Sequence, residues 1–532
     1  MYIAPTTSIR LLTGVPLDGD YENTLYFNSL VDQVTYFRGK TKYHEQNCTF
    51  QRVTKGIMRV GRPVNDLYDV NYIMFQNTGF GTKWFYAFVD SVEYINNATT
   101  EIRFTIDVLQ TWFFEYNLEQ CFVERCHSAT DTIGDNILPE PVELGEMIYN
   151  SYGRVISSGD DMLTNVLYIL AINDVSGNNA FAGVYDRVPS GAKLWAFKSD
   201  DISGLEAKIT EYIQRPTAIT ALYTVPKRFV STQASFPQSG GEEITSPKVS
   251  LVFNKFVDDA HKITNSSTIN GYTPKNKKLF TYPYNFLEVI TGMGSALNLR
   301  YEFFSGNPGL SFQGCITQPV SVAVKPVNYK GGGATPVTAV SDEQLVLDGY
   351  PMGSWLNDAY EAWVAQNSVP LALGTISSVS SGFIGGLATG NIGAAFAGAG
   401  MAGLGQITNI LTERYNASIA ADQQHGNPSS GNVNFSAQTL DVFCGRRSVQ
   451  AQYARAIDDF FTMYGYAQKK VMTPPRKNRS QFTYVKTVGC QGSGSVPNDD
   501  KREIDAIYNK GIRFWTTPAN VGNFSVTNSL LP

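Results

Sequence analysis

Charge is scarce in this chain: Asp, Glu, Lys and Arg make up only 17% of its 532 residues and sum to −5. The basic excess that holds a nucleic-acid backbone is missing, which disfavours tight DNA binding. Cysteine is also sparse. The six thiols, Cys48, Cys121, Cys126, Cys315, Cys444 and Cys490, are spread too thinly for the framework of a disulfide-stapled domain and read as free thiols of a reducing compartment. Met1-Tyr2-Ile3-Ala4-Pro5 offers no basic n-region or apolar h-region, so no secretory signal is expected and assembly falls to a cytosol. Catalytic signatures are missing as well. There is no G-x-S-x-G elbow, and the Gly331-Gly332-Gly333 run has no Lys-Ser/Thr after it to make a phosphate loop.

Aromatic residues, at 12%, are what the chain has in quantity, and they suit a strand-rich protein with large buried or intersubunit surfaces. Short strand-like runs occupy residues 20 to 116: Val34 to Phe37, Cys48 to Val53, Tyr72 to Gln76, Lys83 to Ile95 and Glu101 to Asp107. Arg103 and Thr105 alternate there with Phe104 and Ile106 at the period of a half-buried strand. Gly79, Gly81 and Asn96-Asn97 supply turns. This pattern predicts a β-barrel or sheet unit.

Beyond Pro139 and Pro141 the texture changes. Strands are expected at Val166 to Ile172 and Val249 to Phe253, and Ile202, Leu205, Ile209, Tyr212 and Ile213 lie on one face of a helix. This mixed domain ends near the Gly331 run, a linker or loop signal. Toward the C-terminus, Val449, Tyr453, Ile457, Phe460, Phe461 and Tyr464 mark a helical stripe closed by Gly465. A shorter helix spans Asp500 to Lys510, with Ile504, Ile507 and Tyr508 inward and Gly511 after it. Strands at Ile512 to Trp515 and Phe524 to Val526 follow.

One stretch stands apart. Between Glu361 and Glu413 there is no Asp, Glu, Lys, Arg or His, where the average composition would place about nine charges. Its centre, residues 371–411, carries Leu371, Leu373, Ile376, Val379, Phe383, Ile384 and Leu387 before a turn at Thr389-Gly390-Asn391. Ile392, Phe396, Met401, Leu404, Ile407, Ile410 and Leu411 come after it. As a helix, each arm of roughly 18 to 20 residues would span about 27 to 30 Å, close to a bilayer's hydrocarbon thickness. Gly382, Gly386 and Gly390 recur every fourth residue and Ala394, Gly398 and Ala402 continue the small-residue theme, which lets helices approach closely. So many Gly, Ser and Thr make the arms less apolar than committed transmembrane helices. The residues alone fit a membrane-active hairpin, a hairpin buried in an oligomer core, or a linker.

Smaller constellations carry less. Cys121, Cys126 and His127 lack a fourth ligand and the usual paired spacing, so no metal or cofactor is expected. His44, His261 and His425 have no H-x-E or H-E-x-x-H context. Asp458-Asp459 and Asp499-Asp500 read as helix-face and helix-start acids. The basic stretch Lys469-Lys470 to Arg479, interrupted by Pro474-Pro475, could contact DNA or anionic lipid, but reads first as a solvated loop or an intersubunit salt-bridge site. No catalytic residue is assigned.

Several segments together resemble the tail knob family of picovirus-type short-tailed bacteriophages, the phi-29 group. They include Val15-Pro16 to Asp20-Tyr21, Asn23-Thr24, Tyr72 to Asn77, Lys83 to Val89, Ile106 to Trp112 and Tyr282-Pro283-Tyr284. Tyr453-Ala454-Arg455, Phe460-Phe461, Tyr464-Gly465-Tyr466, Glu503 to Ile512, Trp515 and Gly522 to Val526 add to them. The resemblance is strong over the first 115 and last 90 residues.

It implies a fold that is mainly β with some helix (α+β): β-barrel tail-tube domains, a mixed middle domain and a long hydrophobic loop or helical hairpin. The expected division is 1–145 as the first part of the tube domain, 146–345 as a mixed lower or knob domain, 346–430 as the loop region and 431–532 completing the tube domain. The expected protein is no enzyme but a homo-hexamer at the distal end of the virion tail, touching other tail proteins and passing genomic DNA without specific binding. Its loops, residues 371–411, would plug the tube and later form a pore in host membrane lipid. The alternative is a receptor-binding or wall-degrading tail protein acting on a surface glycan, which exposed aromatic platforms or a carboxylate pair in residues 150 to 345 would favour.

Overall fold

A computed structural model describes residues 6–48, 56–154, 166–173, 183–185, 188–198, 200–212, 218–230, 237, 239–253, 265–291, 295–317, 320–347, 352–353 and 442–531. As expected, the architecture is mainly β. The chain forms two units, the first built from residues 1–144, 272–279 and 451–532 and the second from 145–271 and 280–450, each considered over its described residues.

The first unit contains a six-stranded antiparallel sheet in the order Thr41–Cys48, Thr7–Thr13, Val70–Asn77, Trp84–Asn96, Thr99–Ile106 and Ile57–Val60. Alternate residues of Val70–Asn77 enter different cores. Tyr72 and Met74 pack with Leu12, Tyr86 and Phe88, whereas Ile73 and Phe75 pack with Ile9, Leu11, Ala87 and Phe104. Burial on both faces explains why this strand is an almost continuous apolar run.

The unit's other large sheet runs Asn23–Leu25, Ile512–Trp515, Phe482–Val488, Cys121–Cys126 and Tyr466–Met472. Its parallel pair joins Thr24 to Phe514, so strands from the two ends of the chain are stitched side by side. Helix Asn498–Lys510 buries Ile504, Ile507 and Tyr508, and Gly511 follows it with φ +101°. Helix Ala451–Tyr464 ends at Gly465, φ +65°. A residue in this left-handed conformation stops the helix and redirects the chain. Val449 is not part of that helix; it ends the strand Val442–Val449.

Two strand expectations fail. Val34 to Phe37 lies in a helix, Leu30–Gly39, whose N-cap Ser29 accepts from the Asp32 N–H while its hydroxyl donates to the Asp32 carboxylate. The capping pair outweighs the local β preference of Val and aromatic residues. Phe524 to Val526 forms no strand; the neighbouring Asn528 side chain instead accepts from the N–H groups of Gln481 and Phe482, replacing a ladder. Of the run Cys48 to Val53, Cys48 ends the strand Thr41–Cys48, and the rest lies outside the described residues.

The second unit contains three principal sheets. One is Met147–Arg154, Val442–Val449, Asn285–Thr291 and Ala296–Leu299; another is Glu242–Glu243, Lys193–Lys198, Val166–Ile172, Ile219–Pro226 and Met352–Gly353. The third is Lys248–Phe253, Phe304–Cys315, Ser321–Tyr329 and Leu345–Leu347. Ile169, Val289, Phe312, Val324 and Cys444, from all three, share one core. Helix Ile202–Glu211 lays Leu205, Ile209 and the following Tyr212 on Leu170, Phe197 and Leu222. Gly331–Gly333 is a loop and not a linker: it connects strands that pair with one another, Val324 opposite Leu345, and Gly332 N–H donates to the Tyr329 carbonyl.

Candidate functional site

All fourteen apolar positions of the expected membrane-active segment, Leu371 to Leu411, lie outside the described residues, as do the small residues Gly382, Gly386, Gly390, Ala394, Gly398 and Ala402. What is described is the framework on either side. The chain leaves the five-stranded sheet of the second unit at Met352–Gly353, whose Met352 and Gly353 pair with Tyr223 and Leu222. It re-enters at Val442–Val449, an inner strand of the four-stranded sheet, hydrogen-bonded on both sides. No described helix is long and apolar enough to cross a membrane.

In the first unit, polar chemistry is concentrated around buried carboxylates. Asp458, fully buried on helix Ala451–Tyr464, accepts from Tyr272 OH at 2.7 Å, Lys275 N–H at 2.7 Å, Asn276 N–H at 3.0 Å and Asn276 Nδ2 at 2.9 Å. Both acids lie on the helix as expected, but only Asp459 is exposed, while Asp458 is turned into the interior. A buried carboxylate needs its acceptor sites filled, and segment 272–279 fills them. Asp131 accepts from Tyr466 OH and Lys277 N–H; burial raises its pKa, against the lowering by those two bonds. Glu140 is wholly buried between Arg125 and Lys278 and also accepts from Ala467 N–H. Burial lowers the Lys278 pKa, and Glu140 opposes that shift.

Cys121, Cys126 and His127 are all buried in the first unit. Burial pushes the Cys121 thiol up to about 11 and Cys126 to about 12. His127 accepts from Tyr484 N–H through Nδ1 at 2.7 Å and donates through Nε2 to the Thr462 carbonyl at 3.0 Å. Both ring nitrogens are therefore engaged, the tautomer following from this network. Burial, with the positive charge of Arg479 second, lowers its pKa to about 3. His44 meets Ser8 Oγ at 2.9 Å, while His261 and His425 lie outside the described residues.

The basic stretch is divided. Lys469 and Lys470 are exposed but lie on the strand Tyr466–Met472, where Lys470 pairs with Val123, and not in a loop. Arg476 instead donates to Tyr508 OH and to the Phe113 and Tyr116 carbonyls, and Arg479 is buried, so neither is a free surface cation. Asp500 accepts from Trp112 Nε1 and Asp499 pairs with Arg502 at the start of helix Asn498–Lys510.

Residues 5–117, which build the six-stranded sheet and its capping elements, match the family described as Caudoviral major tail protein N-terminus. The fold and this match define the class: a structural protein of a phage tail. Residues 252–529, just over half the chain, match the C-terminal domain of the tail knob protein gp9 of Bacillus phage phi29, and the chain belongs to this phi29-type tail knob family. It is 27% identical to the tail knob protein gp9 of Bacillus phage phi29 and 28% identical to that of Bacillus phage PZA, with 98% of each chain covered in both comparisons. The solved tail knob protein gp12 of bacteriophage C1 shares the fold, with a TM-score of 0.59 at 14% identity, covering 99% of this chain and all of the other. The protein is thus a component of the virion tail.

Proposed function

We propose that this protein forms a hexameric knob at the distal end of the tail, closes it before infection, and perforates the host membrane with residues 371–411 for genome ejection. The carrying observation is the absence of every ionisable side chain between Glu361 and Glu413. Burying one charge at a bilayer centre costs about 2.5–3.5 kcal/mol, so an uncharged two-armed segment of spanning length is the part of the chain fit for lipid. Its many small residues support close packing of helices from neighbouring copies. Residues 1–145 and 431–532 would form the tube wall, as closed β-barrels, and 146–345 the lower domain. A net charge of −5 supports passage of DNA without retention, since each phosphate contact would slow it. Assembly would take place in the host cytoplasm, next to the other tail proteins.

The test is dye release from liposomes by the full-length protein and by a variant lacking residues 371–411, with native mass spectrometry of both. Release by the parent, none by the deletion, and six subunits in each support the reading. Equal release by the two rejects the assignment of the segment.

A further inference from the structure

The strand Met147–Arg154 carries an extra residue. Tyr149 lies opposite Arg447 and Ser151 opposite Arg446, so Asn150 forms a bulge. In a regular strand, residues three apart face opposite ways. The bulge turns Tyr152, opposite Gly445, onto the same face as Tyr149. Both rings are half-exposed, at 43% and 45%, and meet edge-on with centroids 5.5 Å apart. Tyr152 also stacks on Phe443, 5.4 Å away and 4° from parallel.

Gly445 makes this arrangement possible. A Cβ there would stand 2.7 Å from Tyr149 Cδ1 and 3.1 Å from Tyr152 Cδ2, so any side chain would push the rings apart. The Tyr149 hydroxyl donates to Glu288, Arg447 pairs with the same carboxylate at 2.9 Å, and the Arg447 guanidinium lies 5.4 Å from the Tyr149 ring. Arg447 and Glu288 cancel in charge. Next along the row from Glu288 is Asn298, exposed on the neighbouring strand.

We propose that Tyr149 and Tyr152 over Gly445 form a binding platform for a neutral hexopyranose chain. A pyranose has an apolar C–H face that packs on the electron-rich face of an aromatic ring, and hydroxyls that an amide or a carboxylate can meet. The rings are held before binding, which removes an ordering cost. Scale argues against a protein partner: two half-exposed tyrosines offer roughly 200 Å², whereas a stable protein interface needs about 800 Å² per side. The cancelled charges argue against an ionic ligand. This inference concerns a site separate from residues 371–411 and does not depend on their role.

The test uses the full-length assembled protein with cellohexaose and chitohexaose, read by saturation-transfer NMR and isothermal titration calorimetry. At least one sugar should bind. Tyr152→Ala should weaken it at least tenfold, while Tyr149→Phe stays within threefold and Tyr152→Trp restores binding, all with unchanged native mass. No saturation transfer from either sugar overturns the proposal. So does Tyr152→Ala binding within twofold of the parent, or a loss of subunits in that variant without sugar binding in the parent, which would make the patch a contact between copies.

Discussion

Asp458 and Asn276, 182 residues apart, are bound three times: the carboxylate accepts from both the backbone N–H and the side-chain amide of Asn276, and that amide also donates to the Asp458 carbonyl. With Tyr272 and Lys275 adding donors, this carboxylate fastens segment 272–279 to helix Ala451–Tyr464. The segment interrupts the sequence of the second unit yet belongs to the first. Asp458→Ala should cost about 2–3 kcal/mol, because it strands several buried donors. In urea denaturation, a double-mutant cycle with Asn276→Ala should give a coupling of about 1–3 kcal/mol; additive effects would contradict the account.

His127 predicts a pH dependence. Its folded pKa, about 3, is below the unfolded 6.5, so between these values the unfolded chain binds the extra proton. Its contribution is fully present above pH 6.5 and is lost as pH falls toward 3, with a slope of up to about 1.4 kcal/mol per pH unit. Asp107 acts oppositely: burial raises it to about 6 from 3.8, so it favours the fold below 3.8 and loses that contribution as pH rises through 6. Chemical denaturation of His127→Gln should show a lower stability at pH 7 and a flatter decline below 6.5. An unchanged slope would mean the imidazole is not held neutral.

Gly465 has φ +65°, and a Cβ there would sit 2.3 Å from the Cys126 carbonyl carbon and oxygen. Gly465→Ala should cost about 3 kcal/mol, through backbone strain and overlap with immovable backbone. Gly522, also at positive φ (+83°) but with nothing within 4 Å, is the control, and its change to Ala should cost about 1 kcal/mol. Thermal unfolding of the two variants compares them directly. Equal midpoints would remove the close approach as the reason for glycine at 465.

Much of the frame was legible because its signals are long or punctuated. Helix Asn498–Lys510 shows a full apolar stripe and a terminal glycine, and the period of two in Thr99–Ile106 appears as exposed Arg103 and Thr105 beside buried Phe104. Val34 to Phe37 misled because four residues cannot separate a strand from a helix, and the deciding signal lay upstream in Ser29 and Asp32. The burial of Asp458 was not legible, because helical spacing does not reveal that a segment 182 residues away will cover a carboxylate. Tyr149 and Tyr152 were invisible as a pair, since their shared face depends on a bulge that no residue type announces. The uncharged segment is the reverse case: its signal is wholly compositional.

The most direct test of membrane entry is charge insertion. Leu387→Lys and Leu404→Lys each add about 2.5–3.5 kcal/mol to transfer of an arm into a bilayer, whereas Val337→Lys changes a side chain that is already 83% exposed. Liposome dye release should fall at least tenfold in the first two and stay at the parental rate in the third, with all three assembling alike. Undiminished release by Leu387→Lys and Leu404→Lys would contradict the account.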